Sequence, residues 1–371
     1  MRLKRVSIWV VTTLLIVGIV AALTGCGGGA TTGGTTATPE AKPLKIALLL
    51  PETKTARYET QDRPLFEAKV KELEPDAEIL YSNANQDATE QQSQADAALT
   101  NGANVLVLDP VDSASAASIV AKAAELKVPV ISYDRLILNA DVNYYVSFDN
   151  EKVGTLQGQA LLDKLTADGN AGKTIVMING SPTDNNATLF KKGAHSILDG
   201  KVKIGAEYDT PDWSPDKAQS QMDQAITKLG KNGFVGVLAA NDGTGGGAIA
   251  AMKGAGIDPK TRPTTGQDAE LAGIQRILLG EQYMTVYKAI KLEAEAAAEL
   301  AVALAKGEAV PAGMTLSKVN NGTKDVDSVL LAPVAVTKEN IKDTVVADGF
   351  WSAADIMNTP ELKTAGAAAG L

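Results

Sequence analysis

Polar side chains follow the apolar runs of this sequence at six places. In VPVISYDRLI (128–137) an apolar run ends on Asp134 and Arg135, an acid beside a guanidinium. The other groups of this kind are Asp109, Asp149-Asn150, the loop 181–186 (SPTDNN), Asn241-Asp242 and Gln267-Asp268. Carboxylates accept hydrogen bonds, guanidinium groups donate them, and amides do both. Such an inventory suits a small ligand with several adjacent hydroxyls, because each hydroxyl can donate and accept.

The apolar runs that carry these groups are typical of strands in an α/β protein. Candidate strands cover 45–50, 77–82, 104–109, 129–134, 143–149, 174–180, 203–208, 235–242, 264–268 and 284–288. Helical patterns such as 115–126 lie between them. Many runs are continuously apolar, as expected for parallel strands covered on both faces. The alternation predicts doubly wound parallel sheets, and its length favours two lobes.

The polar groups at the strand ends are expected to meet. In open α/β sheets, ligands bind at the carboxyl edge of the strands. A single strand-end carboxylate is often structural instead, because it can cap the following helix. Six such groups favour a shared cleft. A sugar ring also has apolar C–H faces, which makes Trp213 and Tyr58, both in polar loops, candidates for ligand contacts, with loop packing as the alternative.

Composition gives little support for catalysis. The 371 residues include one cysteine and one histidine, so no metal, cofactor or thiol cluster is expected. His195 falls on a predicted helix and is interpreted as a partly exposed packing residue. The net charge of −9 gives no reason to expect a nucleic-acid partner. Paired carboxylates such as Asp134 with Asp268 or Asp184 could hydrolyse a glycoside. A secreted glycosidase is therefore the enzyme alternative, although no enzyme activity is expected.

The N-terminus has the pattern of a lipoprotein export signal. Basic residues 2, 4 and 5 precede an apolar run at 7–23, which ends at the tetrapeptide LTGC with Cys26. Small residues before a lone cysteine indicate a lipobox, in which Cys26 is acylated after residues 1–25 are removed. The alternatives are an uncleaved membrane anchor or ordinary cleavage. Residues 26–43, rich in glycine and threonine, are predicted to be a flexible tether. The protein is therefore expected outside the cytoplasm, lipid-anchored to the cell membrane.

Several motifs together resemble a known family. They are SYDRLI (132–137), YYVSFDNEKVGTLQ (144–157), GSPTDNNATLF (180–190), ANDGTGGGAI (240–249), GQDAELAGIQRILLGEQYMTVYK (266–288) and LLAPVAVTKENIKDTVVADGF (330–350). From about Lys45 to Trp351 the chain resembles the periplasmic sugar-binding proteins of ABC importers. It is most similar to the D-xylose-binding type and its multi-sugar relatives.

The resemblance implies a type I periplasmic binding protein, with two Rossmann-like lobes joined by a three-crossing hinge. Lobe 1 would hold 44–149 and 288–329, and lobe 2 would hold 150–287 and 330–350, followed by a C-terminal tail at 351–371. The family's sugar contacts fall on Arg57, Asp134, Arg135, Asp184, Asn186, Trp213, Asn241, Asp268 and Lys288. The implied partners are a monosaccharide and the transmembrane subunits of an ABC permease, and we expect a monomer.

One residue departs from the xylose-type pattern. Those proteins have tryptophan after the first-loop arginine, where this chain has Tyr58. A phenol offers less stacking area and adds a hydroxyl, so it can change what is tolerated at C5 of the sugar. D-xylose is the first choice, and glucose, galactose and arabinose remain open. A sugar receptor for a membrane sensor is a further alternative.

Overall fold

The structure, a computed structural model, describes residues 43–371, so Cys26 and the export signal lie outside the described residues. The strands are β1 (Lys45–Leu50), β2 (Glu78–Asn83), β3 (Val105–Leu108), β4 (Val130–Tyr133), β5 (Tyr144–Phe148), β6 (Thr174–Asn179), β7 (Lys203–Asp209), β8 (Val237–Ala239), β9 (Met284–Tyr287), β10 (Ser317–Asn320), β11 (Asp325–Leu331) and β12 (Val334–Thr337).

Helices alternate with most of these strands. They are α1 (Arg63–Leu73), α2 (Ala88–Thr100), α3 (Ala117–Glu125), α4 (Asn150–Ala167), α5 (Asn185–Leu198), α6 (Pro215–Leu229), α7 (Asp242–Gly254), α8 (Leu271–Leu279), α9 (Ile290–Lys306), α10 (Ala353–Ile356) and α11 (Pro360–Ala368). Among the helices between residues 43 and 371, none combines the length and the apolarity needed to cross a bilayer.

Seven strands form a large sheet in the order β10-β11-β5-β4-β3-β1-β2. All neighbours are parallel except β10 and β11. Successive side chains of a strand point to opposite faces. Ile46 and Leu48 therefore join a cluster with α1 and α9, while Ala47 and Leu49 join one with α2 and α3. Helices cover both faces of the sheet, which explains why its strands are continuously apolar.

The second group of strands forms two separate units. A small sheet has the parallel order β7-β6-β8, and β9 pairs with β12 in an antiparallel ribbon. The small sheet is also covered twice: Val176 and Ile178 pack with α6 and α7, and Ile175 and Met177 pack with α4 and α5. The predicted doubly wound α/β class is confirmed.

One predicted strand is wrong. The segment 264–268 makes only an isolated bridge, between Thr264 and Val237. Its glycine and its polar residues do not build a ladder, and Gly266 lies so close to the Asp242 carboxylate that a Cβ would approach it to 2.0 Å. The segment is an extended loop that is held by backbone hydrogen bonds to Val237 and Val286.

The chain passes between the two groups of strands three times. It leaves the large sheet after β5 and returns to it with α9 after β9. It leaves again between β11 and β12. At the C-terminus, α10 and α11 pack against α8, where Ile356 and Leu362 are buried beside Ile274 and Leu278.

Close helix packing positions the start of α5, which follows the SPTDNN loop. Helices α4 and α5 touch at glycines on both sides: a Cβ on Gly154 would lie 1.9 Å from the Phe190 carbonyl oxygen, and one on Gly193 would lie 2.1 Å from that of Glu151. These atoms belong to the backbone, so a side chain cannot be accommodated by rotamer changes. The glycines set the distance between the two helices.

We predict that Gly154→Ala lowers the free energy of unfolding by about 2–3 kcal/mol, since it overpacks two helix backbones. The matched control is Gly254→Ala at the end of α7, where a Cβ meets nothing within 4 Å. Alanine is the better helix former, so the control should be neutral or stabilising by up to about 1 kcal/mol. Urea unfolding measures both variants. Equal stabilities would show that the α4–α5 contact is not tight.

Candidate functional site

A hollow lies where the strand ends of the large sheet face those of the small sheet. The empty space between its lining atoms is about 250 Å³, a volume that includes space open to solvent. It is lined by Thr55, Tyr58, Asp134, Arg135, Asp184, Asn186, Phe190, Trp213, Asn241, Gln267, Asp268 and Lys288. Every one of these residues is buried, with at most 6% of its surface exposed.

The structure brings the predicted contact residues together. Nine of the ten line the hollow, and the tenth, Arg57, is in ion-pair contact with two of them, Asp134 and Asp268. Four of the six predicted strand-end groups contribute lining residues, whereas Asp109 and Asp149-Asn150 do not line the hollow.

The backbone is strained at three of the strand ends. Asp134, Trp213 and Asp268 have φ angles of 53°, 54° and 86°, in the left-handed region that favours glycine. Such conformations cost about 1–3 kcal/mol each and persist only where the surroundings impose them. All three residues line the hollow.

Asp134 is the most heavily contacted acid. Its Oδ2 accepts a hydrogen bond from the Tyr58 hydroxyl at 2.8 Å and lies 3.2 Å from Arg57 Nη2. Its Oδ1 lies 3.8 Å from Lys288 Nζ. Burial alone would raise the pKa of Asp134, but Arg57, Lys288 and Arg135 outweigh it and lower the pKa to about 2. Asp134 is therefore an ionised acceptor at any physiological pH.

Arg57 is held on a buried frame of acids. Its Nε and Nη2 donate to the two oxygens of Asp62 at 3.1 and 3.0 Å, a bidentate pair. Nη2 also lies 3.4 Å from Glu293 Oε2, and Nη1 lies 3.7 Å from Asp268 Oδ1. Within the described chain, Nη1 has no hydrogen-bond acceptor of good geometry. The guanidinium edge formed by Nε and Nη2 is thus held by Asp62, and Nη1 lies toward Asp268.

Arg135 has a similar arrangement. Its Nε lies 3.1 Å from Asp184 Oδ2 and 3.5 Å from Asp109 Oδ1. Its Nη2 donates to the Tyr58 hydroxyl at 3.2 Å and lies 3.7 Å from Glu52 Oε1. Tyr58 therefore donates to Asp134 and accepts from Arg135, so its hydroxyl connects the two groups at the end of β4.

Three acids of this frame were not predicted from the sequence: Glu52, Asp62 and Glu293. Glu293 had a visible signal, because it lies on the buried face of α9 with Ala297 and Leu300, where an acid is unexpected. Burial, reinforced by Asp134 and opposed by Arg57, raises the pKa of Glu293 well above its usual range. Burial also raises the pKa of Asp109 well above its usual range. Both shifts favour the uncharged carboxyl, which opposes a build-up of buried negative charge.

The indole of Trp213 forms part of the wall contributed by the small-sheet side. Its Nε1 donates to Asp184 Oδ2 at 3.0 Å, and Phe190 meets it edge to face at 6.3 Å. Gly180 lies directly against the ring, where a Cβ would approach to 2.0 Å. Asp184 also accepts the Asn186 backbone N–H at the start of α5. The same carboxylate is thus both a helix cap and a lining group.

Asn241 also has both roles. It caps α7 in a capping box with Thr244 and lines the hollow. Below it, the buried amide of Gln157 donates to the carbonyl oxygens of Ala240 and Gly266 at 3.0 and 2.9 Å. This side chain joins the end of β8 to the 264–268 segment, and so fixes the spacing between Asn241 and Asp268.

Some strand-end groups are structural. Asp149 caps α4 through the Lys152 N–H, and buried Asp242 accepts hydrogen bonds from Thr285 and Gln282. Neither lines the hollow. His195 lies on α5, as predicted, and contacts the carboxylates of Asp199 and Glu207 outside the hollow. Among residues 43–371, no group of three acids, histidines or cysteines is arranged to hold a metal ion.

The fold and the site define a class. A family model described as a periplasmic binding protein domain matches residues 46–309, and the chain belongs to that family.

The chain is also similar to named members. It is 38% identical to the D-xylose-binding periplasmic protein of Escherichia coli (strain K12) over 96% of this chain and all of that protein. It is 40% identical to the D-xylose-binding periplasmic protein of Haemophilus influenzae over 83% of this chain and 91% of that protein. An ABC transporter solute-binding protein from Clostridium phytofermentans, solved with bound β-D-glucose, superposes with a TM-score of 0.76 at 29% identity, covering 84% of this chain and 99% of that one. The resemblance inferred from the sequence is confirmed.

A buried acid near the site predicts a pH dependence of stability. Burial and the carboxylates of Asp242 and Asp268 raise the pKa of Glu270 to about 8. A carboxyl whose folded pKa is raised stabilises the fold while protonated, and this stability is lost progressively as the pH rises from the pKa of the unfolded chain to about 8. The free energy of unfolding should therefore fall by about 2–3 kcal/mol from this group between pH 6 and 9.

We expect Glu270→Gln to reduce that fall, measured by urea unfolding at both pH values. Glu361→Gln is the control, because Glu361 is an exposed first-turn residue of α11. It should show the same fall as the parent. A Glu270→Gln variant with an unchanged pH dependence would mean that Glu270 is already ionised in the folded protein.

Proposed function

We propose that this protein captures one monosaccharide, with D-xylose as first choice, in the hollow between its two sheets. The observation that carries the proposal is the convergence of carboxylate, amide, guanidinium and indole groups from both sheets on one buried space. The names of the relatives, two of them D-xylose-binding proteins, support the choice of sugar.

The chemistry of the lining supports a polyhydroxylated ring. Asp134 and Asp268 supply acceptors, Arg57 and Lys288 supply donors, and Asn186 and Asn241 supply both. Charge-assisted hydrogen bonds to neighbouring hydroxyls are strong and directional. The indole of Trp213, held on edge by Phe190, offers an apolar surface to the C–H face of a sugar. In this assignment all ten predicted residues bind the ligand, either directly or, for Arg57, together with the carboxylates that it pairs.

A broader aldose specificity is the second candidate. A structural relative binds β-D-glucose, so a hexose fits this fold. Here the Tyr58 hydroxyl is already engaged by Asp134 and Arg135. These two hydrogen bonds hold the phenol ring in place and leave its hydroxyl less available to a hydroxymethyl group of a hexose.

Binding requires the lobes to open, since the hollow is lined only by buried residues. We assign lobe 1 to 44–149 and 288–329 and lobe 2 to 150–287 and 330–350, with the hinge at the three chain passages. Direct hydrogen bonds join the lobes at one rim: Ser113 N–H to the Thr183 carbonyl at 3.0 Å, and Asn185 N–H to the Ser113 hydroxyl at 3.1 Å. Ligand that bridges both lobes would shift the equilibrium toward this closed form.

Delivery completes the proposal. Lipid on Cys26 would keep the protein at the outer face of the cell membrane, where the closed form presents both rims to an ABC permease. The same closed form could instead be recognised by a membrane sensor. The glycosidase alternative has no support from the named relatives, all of which are binding proteins.

A sugar panel tests the ligand. D-xylose, glucose, galactose, arabinose and ribose are compared by thermal shift, because a ligand that binds only the folded state raises the melting temperature. We expect xylose to give the largest rise. A larger rise with glucose or galactose would favour the broader aldose protein, and no rise with any sugar would contradict sugar binding.

A carboxylate exchange tests the site. Asp134→Asn removes a charge-assisted acceptor, so calorimetry should show xylose binding weakened tenfold or more, equivalent to about 1.4 kcal/mol. The matched control is Asp149→Asn, another strand-end acid, which keeps its cap because asparagine is an equally good N-cap. The control should bind like the parent. Parent-like affinity in Asp134→Asn, with both variants folded, would contradict the site assignment.

Membrane anchoring has its own test. Cys26→Ser removes the thiol that an acyl group requires, so cells grown with a labelled fatty acid should label the parent and not the variant. Sugar affinity should stay unchanged, because the residues that line the hollow are the same in both proteins. A parent that takes up no label would contradict lipid attachment at Cys26.

A further inference from the structure

Three residues that line the hollow, Thr55, Phe190 and Gln267, were not among the expected contacts, and Gln267 is the one with an unpartnered polar atom. Gln267 is 3% exposed and lines the hollow beside Asp268. Its backbone is fixed from both sides: its carbonyl accepts the Asp242 N–H at 3.0 Å, and the next N–H, of Asp268, donates to the Val286 carbonyl at 2.9 Å. The side chain thus projects from an immobile segment.

The orientation of its amide follows from its neighbour. Gln267 Nε2 donates to Asp268 Oδ2 at 3.1 Å. Because an ionised carboxylate only accepts hydrogen bonds, the NH₂ group must face Asp268 and the oxygen must face away from it. In the part of the chain that the structure describes, no donor reaches the buried Oε1.

The remaining oxygen of Asp268 points to the cations. Oδ1 lies 3.0 Å from Lys288 Nζ and 3.7 Å from Arg57 Nη1. With Gln267 on one oxygen and Lys288 on the other, the plane of the carboxylate is set by the protein. Among the described residues, Asp268 Oδ1 and Gln267 Oε1 are acceptors, and Arg57 Nη1 is a donor, that have no hydrogen-bond partner.

We propose that Gln267 is a further sugar-binding residue, which positions Asp268 through its NH₂ group and accepts a hydrogen bond from one ligand hydroxyl through Oε1. The inference rests on the proposed sugar binding. A buried acceptor without a donor is costly, so a ligand that supplies a hydroxyl there is favoured over one that lacks it. Gln267 therefore contributes to selectivity for one hydroxyl of the sugar as well as to affinity.

Gln267→Met tests the proposal, since methionine has a similar shape and no strong hydrogen-bonding group. We expect the dissociation constant for the sugar selected by the panel to rise tenfold or more. The melting temperature without sugar should stay near that of the parent, because only one internal hydrogen bond is lost. The matched control is Gln94→Met: Gln94 also has a buried oxygen without a donor among residues 43–371, but it lies on α2 away from the hollow. It should bind like the parent.

Monodeoxy derivatives of that sugar test the contact itself. One derivative should bind the parent at least tenfold more weakly than the full sugar, and Gln267→Met should have lost that discrimination while keeping the others. Gln267→Glu adds a pH readout: the introduced carboxyl repels Asp268 when ionised and can donate to it when protonated. Its affinity should therefore recover as the pH falls from 8 to 5, while that of the parent changes less.

The outcomes separate the two proposals. If the parent binds none of the sugars, the proposed function fails. If the parent binds sugar and Gln267→Met matches it in affinity and in discrimination among the deoxy derivatives, the inference about Gln267 is overturned and sugar binding stands. Loss of affinity with every discrimination intact would also overturn it, because that result describes a residue that only supports the wall.

Discussion

Ion pairing between the two groups of strands is the constraint on which the site depends. Arg57 and Lys288 each contact both Asp134 and Asp268, at N···O distances between 3.0 and 3.8 Å. Charges removed from water cost several kcal/mol each unless they are paired and hydrogen-bonded. Each of these four groups therefore fixes the positions of the others, and the strained φ angles of Asp134 and Asp268 persist because the pairing imposes them.

The frame behind these groups is acidic. Asp62 holds Arg57 in a bidentate pair, while burial raises the pKa values of Asp109 and Glu293 and so disfavours their charged forms. The protein thus supplies acceptors to the side of each guanidinium that faces away from the hollow. It leaves selected donor and acceptor atoms facing the hollow. A ligand with alternating donors and acceptors matches those atoms, whereas an apolar ligand would leave them unpaired at a cost of about 1–3 kcal/mol each.

The strand-end groups could be predicted because the carboxyl ends of parallel strands meet at one edge. That rule places Asp134, Asp184 and Asp268 together, and it also selects Asp149 and Asp242, which cap a helix and join loops instead. The sequence does not distinguish these roles, since both need an acid after a strand.

The groups that were missed depend on side-chain direction and on distant contacts. Glu293 reaches Arg57 from a helix 236 residues away in the chain. Gln267 was predicted to lie at a strand end, but only the structure shows which way its side-chain amide points. The segment 264–268 was wrongly predicted to be a strand. Gly266 lies against the Asp242 carboxylate, and the local sequence pattern contains no sign of this contact.

A crystal structure of the protein grown with D-xylose tests the central claim most directly. The account predicts one sugar in the hollow, with hydroxyls within hydrogen-bond distance of both Asp134 and Asp268 and of Arg57 Nη1. A sugar that contacts only one group of strands, or that lies outside the hollow while these ion pairs remain closed around water, would contradict it.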